Sequence, residues 1–415
     1  MGFKPCTKAD PDVYMKPDIK ENGDLYYRYL LVHVDDVLSI GENAESPIQM
    51  LGKVFKLKEG SVGPPDRYLG ANIEKLQTED GRDIWSFNCK DYLKGAIERV
   101  KLLAMEDGKE LHKRNKGYRP IPKEYHPEID VSPELDDPHL YQQLIGILRW
   151  ACELGRIDIL TEVSVMSQYM CNPRKGHLDA LFQIFNYLDQ KKKYIKGKIG
   201  FDSRQLQPYT CPIKGASTQK GDWIDFYPDA EERLPRHMPE ARGKPVMIRA
   251  YVDANHAGNL ANRRSHSGIL IYVNNAPILW FSKRQNTVES SSFGSEYIAL
   301  RIVTDMIENL WFKLRCFGVS LDGPAEVLCD NQSVVTNSSV PSSTLSKRHN
   351  AICFHRVREA QSCGMISVLW IEGERNLADL FSKTTLSGKK RNEFVKQLFY
   401  DNCEVIDTKD QKGMK

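Results

Sequence analysis

Apolar and polar positions fall into several regimes along this chain. Residues 24–40, DLYYRYLLVHVDDVLSI, hold two apolar, β-rich runs broken by Asp35-Asp36. That pattern predicts a hairpin with two carboxylates at its turn. A short helix is expected near 46–57, then strands around 67–76 and 85–87. Apolar positions 93, 96, 97, 100, 103 and 104 follow helical spacing over 91–104. The resulting βαββα order describes one α+β unit. A polar, proline-rich stretch over 108–138 reads as a linker. Three amphipathic segments follow, 141–154, 158–171 and 177–190, and then a basic run, KKKYIKGK, at 191–198. Residues 202–245 have few apolar positions and no period, which reads as a second linker.

Regular patterning returns at 246. Strand VMIRAYVD (246–253) precedes a polar loop, strand GILIYV (268–273), an Asn274-Asn275 turn and strand PILWFSKR (277–284). A long helix over about 292–316 carries its apolar residues on one face, and Ser291 or Ser292 can cap it. Strand 326–330, helices near 331–337 and 350–362, strand 365–371 and a short helix over 376–383 complete a βββαβααβα order.

Four acids occupy costly places in this pattern: Asp253 and Asp330 at strand ends, Glu296 and Asp379 on helices. Carboxylates converging on one point repel unless cations neutralise them. Oxygen-only ligands suit Mg²⁺ or Mn²⁺, and two such ions about 3.5–4 Å apart form a phosphodiester-cleaving site.

Composition narrows this only slightly. The chain has 415 residues, 41% hydrophobic and 27% charged, with net charge +3. Two or three domains are expected, and nucleic-acid binding would have to come from local patches. Ten cysteines are scattered singly with no CxxC pair, which argues against a zinc ribbon or dithiol site. An intracellular setting, cytoplasmic or nuclear, fits reduced thiols.

The local words are sharper. DANHAGNLANRRSHSG, WFSKRQNTVESSSFGSEY, CDNQS, LSKRHNAICFHRVRE and NLADLFSK closely resemble the ribonuclease H of Ty1/copia retrotransposons. Upstream, GFKPCTKADPDVY and LVHVDDVL resemble the C-terminal part of the copia reverse transcriptase palm, and YQQLIGILRWACELGRIDIL the segment joining polymerase to nuclease. The resemblance implies a multidomain α+β and α/β chain, the C-terminal fragment of a Pol polyprotein. Its parts would be a partial reverse-transcriptase palm (1–110), a helical thumb or connection (111–200), a linker (201–245), a ribonuclease H-like domain with a mixed five-stranded sheet (246–400) and a tail (401–415).

It further implies that Asp253, Glu296, Asp330 and Asp379 hold two Mg²⁺ or Mn²⁺ ions on the scissile phosphate of an RNA–DNA hybrid. Contacts to 2′-hydroxyls would select the RNA strand. Hybrid-binding candidates are Arg263 and Arg264 in the loop after the first strand, and Lys347, Arg348, His349 and His355 around a helix. Some ribonucleases H carry a histidine before the last acid. EGERN (372–376) has none, which leaves proton transfer to Glu374, to water, or to no shuttle at all. The polymerase part lacks its fingers and its first catalytic Asp, and His33 replaces the tyrosine of the usual YVDD. Asp35 and Asp36 are then a residual motif, and the other Pol parts are expected partners. The alternative is a decayed element that at most binds nucleic acid. Integrase and actin-like ATPase readings lack a His/Cys zinc module and Gly-rich phosphate loops, respectively.

Overall fold

The computed structural model describes residues 1–106, 108, 119–191, 196–210 and 213–406. Strands β1 (Lys4–Cys6), β2 (Asp10–Ile19), β3 (Leu25–His33) and β4 (Asp36–Ile40) form an antiparallel meander in that order. The expected hairpin is β3–β4. His33 pairs with Asp36, and Val34 turns the chain with φ of 53°. Helix α1 (Glu45–Gly52) follows.

Strands β5 (Arg67–Tyr68), β6 (Ala71–Gln77) and β7 (Asp83–Asn88) lead into α2 (Lys90–Glu106). They do not join the first meander, so the βαββα order is two sheets and not one unit. The reason is long-range pairing. The free edge of β7 takes β8 (Ile199–Gly200), and that of β6 takes β16 (Glu404–Ile406) from the far end of the chain. The N-terminal meander packs its Cys6, Met15 and Tyr27 around Cys316 instead.

Helices α3 (His139–Glu153), α4 (Leu160–Met166) and α5 (Lys175–Lys191) match the three amphipathic segments. Their apolar faces, with that of α2, build one core. Residues 192–195 of the basic run and 112–118 of the preceding stretch fall outside the described residues.

Strand β9 (Arg242–Val246) precedes β10 (Ile248–Asn255), β11 (His266–Val273), β12 (Ala276–Arg284) and α6 (Ser292–Cys316). Ser291 caps α6 by accepting from the amide of Gly294. Then come β13 (Val319–Leu321), β14 (Ala325–Cys329), α7 (Gln332–Ser339), α8 (Ala351–Ser362), β15 (Ile366–Trp370), α9 (Asp379–Ser382) and α10 (Gly388–Leu398). The sheet order is β12-β11-β10-β14-β15. The first three strands are antiparallel, and β14 and β15 run parallel to β10. This is the mixed five-stranded sheet of a ribonuclease H-like fold. Strands β9 and β13 and helix α10 were not visible in the sequence pattern.

Side chains alternate across β10. Ala250 and Val252 enter the core beneath α6, and the opposite face carries Tyr251 and Asp253. On that opposite face, Leu270, Leu377, Leu380 and Phe381 join Phe394, Val395 and Leu398 of α10 in the core of the upstream helices. The stretch expected as a linker is anchored too. Trp223 is fully buried, and the guanidinium of Arg358 lies 4.7 Å from both the Trp223 and Phe354 ring centres.

Candidate metal centre

Strand β10 delivers Asp253 to the face on which α9 lies. Its cross-strand partner is Gly268. A Cβ at Gly268 would come within 2.6 Å of the Phe381 carbonyl carbon and the Ser382 amide nitrogen. Only glycine lets α9 rest against the sheet there, and this contact brings Asp379 beside Asp253. Asn376 pins the approach to α9. Its side-chain amide donates to the Val252 carbonyl at 3.0 Å, and its oxygen accepts from the Ala378 amide at 3.1 Å. Asp330 follows directly on β14, where its backbone carbonyl accepts from the Trp370 indole at 3.1 Å. Glu296 stands in the first turns of α6, below the Ser291 cap.

All four acids converge. One oxygen from each of Asp253, Asp330 and Asp379 lies within 4.8 Å of the others, and Glu296, Cys329 and Asp330 form a second group within the same limit. The two groups share Asp330. Burial is deep, with Asp253 1%, Asp379 4% and Glu296 6% exposed. Desolvation, chiefly, pushes the Asp253 carboxyl up to about 6. Lys383 opposes this rise, and Asp379 adds to it. Burial first, then the charges of Asp253 and Asp330, drive Glu296 well above the usual carboxylate range. Asp330 is raised as well, again mainly by burial.

Glu296 Oε2 is buried without a hydrogen-bond partner. A buried orphan oxygen costs about 1–3 kcal/mol, more when charged, so a cation is the natural complement. The donor set is oxygen-rich, the neighbouring Cys329 thiol being held well above its ordinary pKa by burial. These residues fit a hard divalent ion.

Three further residues shape the centre. The Ser382 hydroxyl donates to Asp253 Oδ2. Lys383 Nζ lies 3.1 Å from Asp253 Oδ1 and 2.5 Å from Asp379 Oδ1. Lys390 Nζ donates to Asp379 Oδ2 at 2.9 Å and to the Gly373 carbonyl at 3.0 Å. Lys383 was within reach of sequence reasoning, since it stands four residues beyond Asp379 on a helix. Lys390, in a helix that pattern missed, was not.

The nucleic-acid candidates divide. Arg263 is exposed, with φ of 56°, in the loop between β10 and β11, and Arg264 is half-buried beside it. Lys347 donates to Ser291 Oγ at 2.5 Å, and His349 Nε2 lies 3.4 Å from Glu289, so both border the start of α6. Arg348 is exposed between them. His355 is elsewhere: it faces Tyr227 at 2.7 Å, against the 213–246 segment. Asp35 and Asp36 are exposed at the hairpin tip, outside both acidic groups found among the described residues.

Strand order and acidic centre together define a ribonuclease H-like domain within a larger mixed chain. The chain is a relative of the Pol polyproteins of Ty1/copia-type retrotransposons. It is 26% identical over 392 residues to the retrovirus-related Pol polyprotein from transposon TNT 1-94 of Nicotiana tabacum, covering 94% of this chain and 25% of that protein. It is 23% identical over 362 residues to the Pol polyprotein from transposon RE2 of Arabidopsis thaliana, covering 86% and 20%. It is 24% identical over 285 residues to putative transposon Ty5-1 protein YCL074W of Saccharomyces cerevisiae, covering 66% and 74%. The chain thus spans a quarter or less of the tobacco and Arabidopsis proteins. No family model matches. Among solved structures, the N-terminal RNase H domain of Rv2228c from Mycobacterium tuberculosis is similar at 16% identity and TM-score 0.27, over 36% of this chain and 97% of that one. LC11-RNase H1 in complex with RNA/DNA hybrid is similar at 18% identity and TM-score 0.27, over 32% and 93%. The fold assignment rests on the strand order above, not on these scores.

Proposed function

We propose that this chain cleaves the RNA strand of RNA–DNA hybrids by metal-dependent phosphodiester hydrolysis, as a ribonuclease H on part of a Pol polyprotein. The observation that carries this reading is the pair of acidic groups sharing Asp330, with an unpartnered Glu296 oxygen in one of them. Glu296 and Asp330 would hold one Mg²⁺ or Mn²⁺, and Asp253, Asp330 and Asp379 the other. When bound, such a pair supplies an activated water and stabilises charge on the leaving 3′ oxygen.

The protein's own residues do the rest. The buried walls of the centre strengthen every charge interaction inside it. Gly268, Asn376 and Trp370 fix the carboxylates before substrate arrives, so little reorganisation is left to the reaction. Arg263 and Arg264, in the loop that follows Asp253, and Lys347, Arg348 and His349, near the start of the helix that carries Glu296, would contact the hybrid backbone. Glu374, 87% exposed and 3.6 Å from Lys390, would carry a proton to solvent. The remaining segments of a Pol polyprotein would be this chain's partners.

The test is incubation of the full chain with end-labelled RNA–DNA hybrid, matched duplex RNA and matched duplex DNA, with Mg²⁺ or Mn²⁺. Cleavage confined to the RNA of the hybrid is expected. An intact hybrid in both metals defeats the reading.

A further inference from the structure

Lys383 stands among oxygens that an ion would also use. It lies one helical turn beyond Asp379, so its side chain returns over the start of α9. There its Nζ meets Asp253 Oδ1 at 3.1 Å and Asp379 Oδ1 at 2.5 Å. The side chain is 29% exposed, while those of Asp253 and Asp379 are 2% and 5% exposed. The Ser382 hydroxyl holds the other Asp253 oxygen, and Lys390 the other Asp379 oxygen. The ammonium therefore takes the oxygens of these two buried acids that the neighbouring side chains leave over.

On the other side of Asp330 no cationic side chain contacts Glu296 among the described residues. Among the described residues Glu296 Oε2 has no hydrogen-bond partner; burial and the charges of Asp253 and Asp330 raise the Glu296 pKa, and the more distant Lys383 charge opposes them. The centre is thus lopsided. Asp253 and Asp379 have an ammonium in direct contact, and Glu296 has none among the described residues.

We propose that Lys383 is a built-in counter-cation that competes with a divalent ion for the Asp253–Asp379 pair, so that the two ion positions of this centre differ in affinity. This rests on the metal-binding reading above and adds a rank order to it. The Glu296–Asp330 side fills first. The Asp253–Asp379 side fills only as the ammonium withdraws along its flexible, partly exposed stem. Two cations cannot share the same oxygens at close range without strong repulsion. Lys383 also keeps the metal-free protein folded, because unpaired buried carboxylates are costly.

The experiment is Mn²⁺ titration of the full chain by calorimetry, with melting curves in EDTA and in Mn²⁺. The proteins are wild type, Lys383→Met, Lys383→Arg and Asp330→Asn. Wild type should show one tight and one weak ion. Lys383→Met should melt lower in EDTA, gain more from Mn²⁺, and bind the second ion on the order of ten-fold more tightly or better. Lys383→Arg keeps the charge and should retain the weak site. If Lys383→Met unfolds in EDTA, its titration starts from the Mn²⁺-loaded form by competition with a chelator. A second-site affinity unchanged within two-fold in Lys383→Met, or equally tightened in Lys383→Arg, overturns the role of Lys383. The metal reading then still stands, provided that Asp330→Asn abolishes binding. An absence of Mn²⁺ binding in every protein overturns both.

Discussion

Gly268 sits directly opposite Asp253 across the β10–β11 ladder, and the backbone of Phe381 and Ser382 closes over it at a distance no side chain tolerates. One atom's absence on β11 thus decides where Asp379 stands. The first prediction follows. Gly268→Ala must push α9 outward, because the clash is with backbone and not with a flexible tip. Overpacking of this kind costs about 1–3 kcal/mol. The shift also separates Asp379 from Asp253. Hybrid cleavage should therefore fall much further than the urea-unfolding free energy. A variant with wild-type cleavage would show that α9 is not placed by this contact.

Asp330 belongs to both acidic groups, so its charge serves each of them. Asp330→Asn should abolish hybrid cleavage while leaving the metal-free melting temperature unchanged or higher, since one repelling charge is removed from a buried cluster. Asp305 is the matched control. It pairs with Arg301 at 2.7 Å and Arg356 at 3.1 Å on the outer part of α6, away from the centre. Asp305→Asn should keep full activity. Equal loss in the two variants would mean that the wrong acids have been chosen.

How much of this was legible beforehand depends on whether the cause was local. The β3–β4 hairpin, the amphipathic helices and the strands around Asp253 and Asp330 declare themselves by alternation, helical spacing and capping within a few residues. The four acids were legible for the same reason: each sits at the end or start of an element whose type is locally set. The pairing of β6 with β16 was not, because Leu76 and Val405 meet only through the tertiary fold. The burial of Trp223 has a similar cause. Its segment has no period of its own and is ordered by Arg358, whose guanidinium donates to the carbonyls of Asn337, Val340 and Pro341. Gly268 and Lys383 lay inside motifs already in view. The four-residue spacing brings Lys383 to Asp379, but its contact with Asp253 and the close approach over Gly268 needed the third dimension.

His266, on β11, gives the protein a pH dependence outside the acidic centre. It is buried, its Nε2 lies 2.8 Å from Ser282 Oγ, and burial, helped by Arg284, lowers its pKa from 6.5 to about 4. The folded protein therefore holds this ring neutral where the unfolded chain would protonate it. A depressed histidine contributes stability that is present above pH 6.5 and lost as pH falls toward 4. The full effect is about 3 kcal/mol. Replacing the ring by an uncharged amide, His266→Gln, should flatten the unfolding free energy across that window relative to wild type. Parallel curves for the two proteins between pH 7 and pH 4 would rule the group out.

The ribonuclease H-like unit should not stand alone. Leu377, Leu380, Phe381, Phe394, Val395 and Leu398 belong to the core built by α2, α3 and α5, not to the core beneath α6. Arg391 of α10 is buried with Glu162 of α4 at 2.8 Å, and the Thr161 hydroxyl donates to the Leu380 carbonyl at 2.7 Å. Cutting the chain to 246–400 strips the cover from all of these. Exposing six large apolar side chains costs on the order of 10 kcal/mol, as much as the whole stability of an ordinary domain. The isolated segment should be aggregated or molten, with weak near-ultraviolet circular dichroism, and should lack the hybrid cleavage of the full chain. Adding residues 67–202 back should restore cooperative melting. A smaller version of the same argument applies to Arg391→Met in the full chain, which leaves the buried Glu162 carboxyl without its guanidinium partner and should cost about 3–5 kcal/mol. The double variant Arg391→Met with Glu162→Gln should recover much of that loss. A well-folded, active 246–400 segment would show instead that the α9–α10 face carries its own stability.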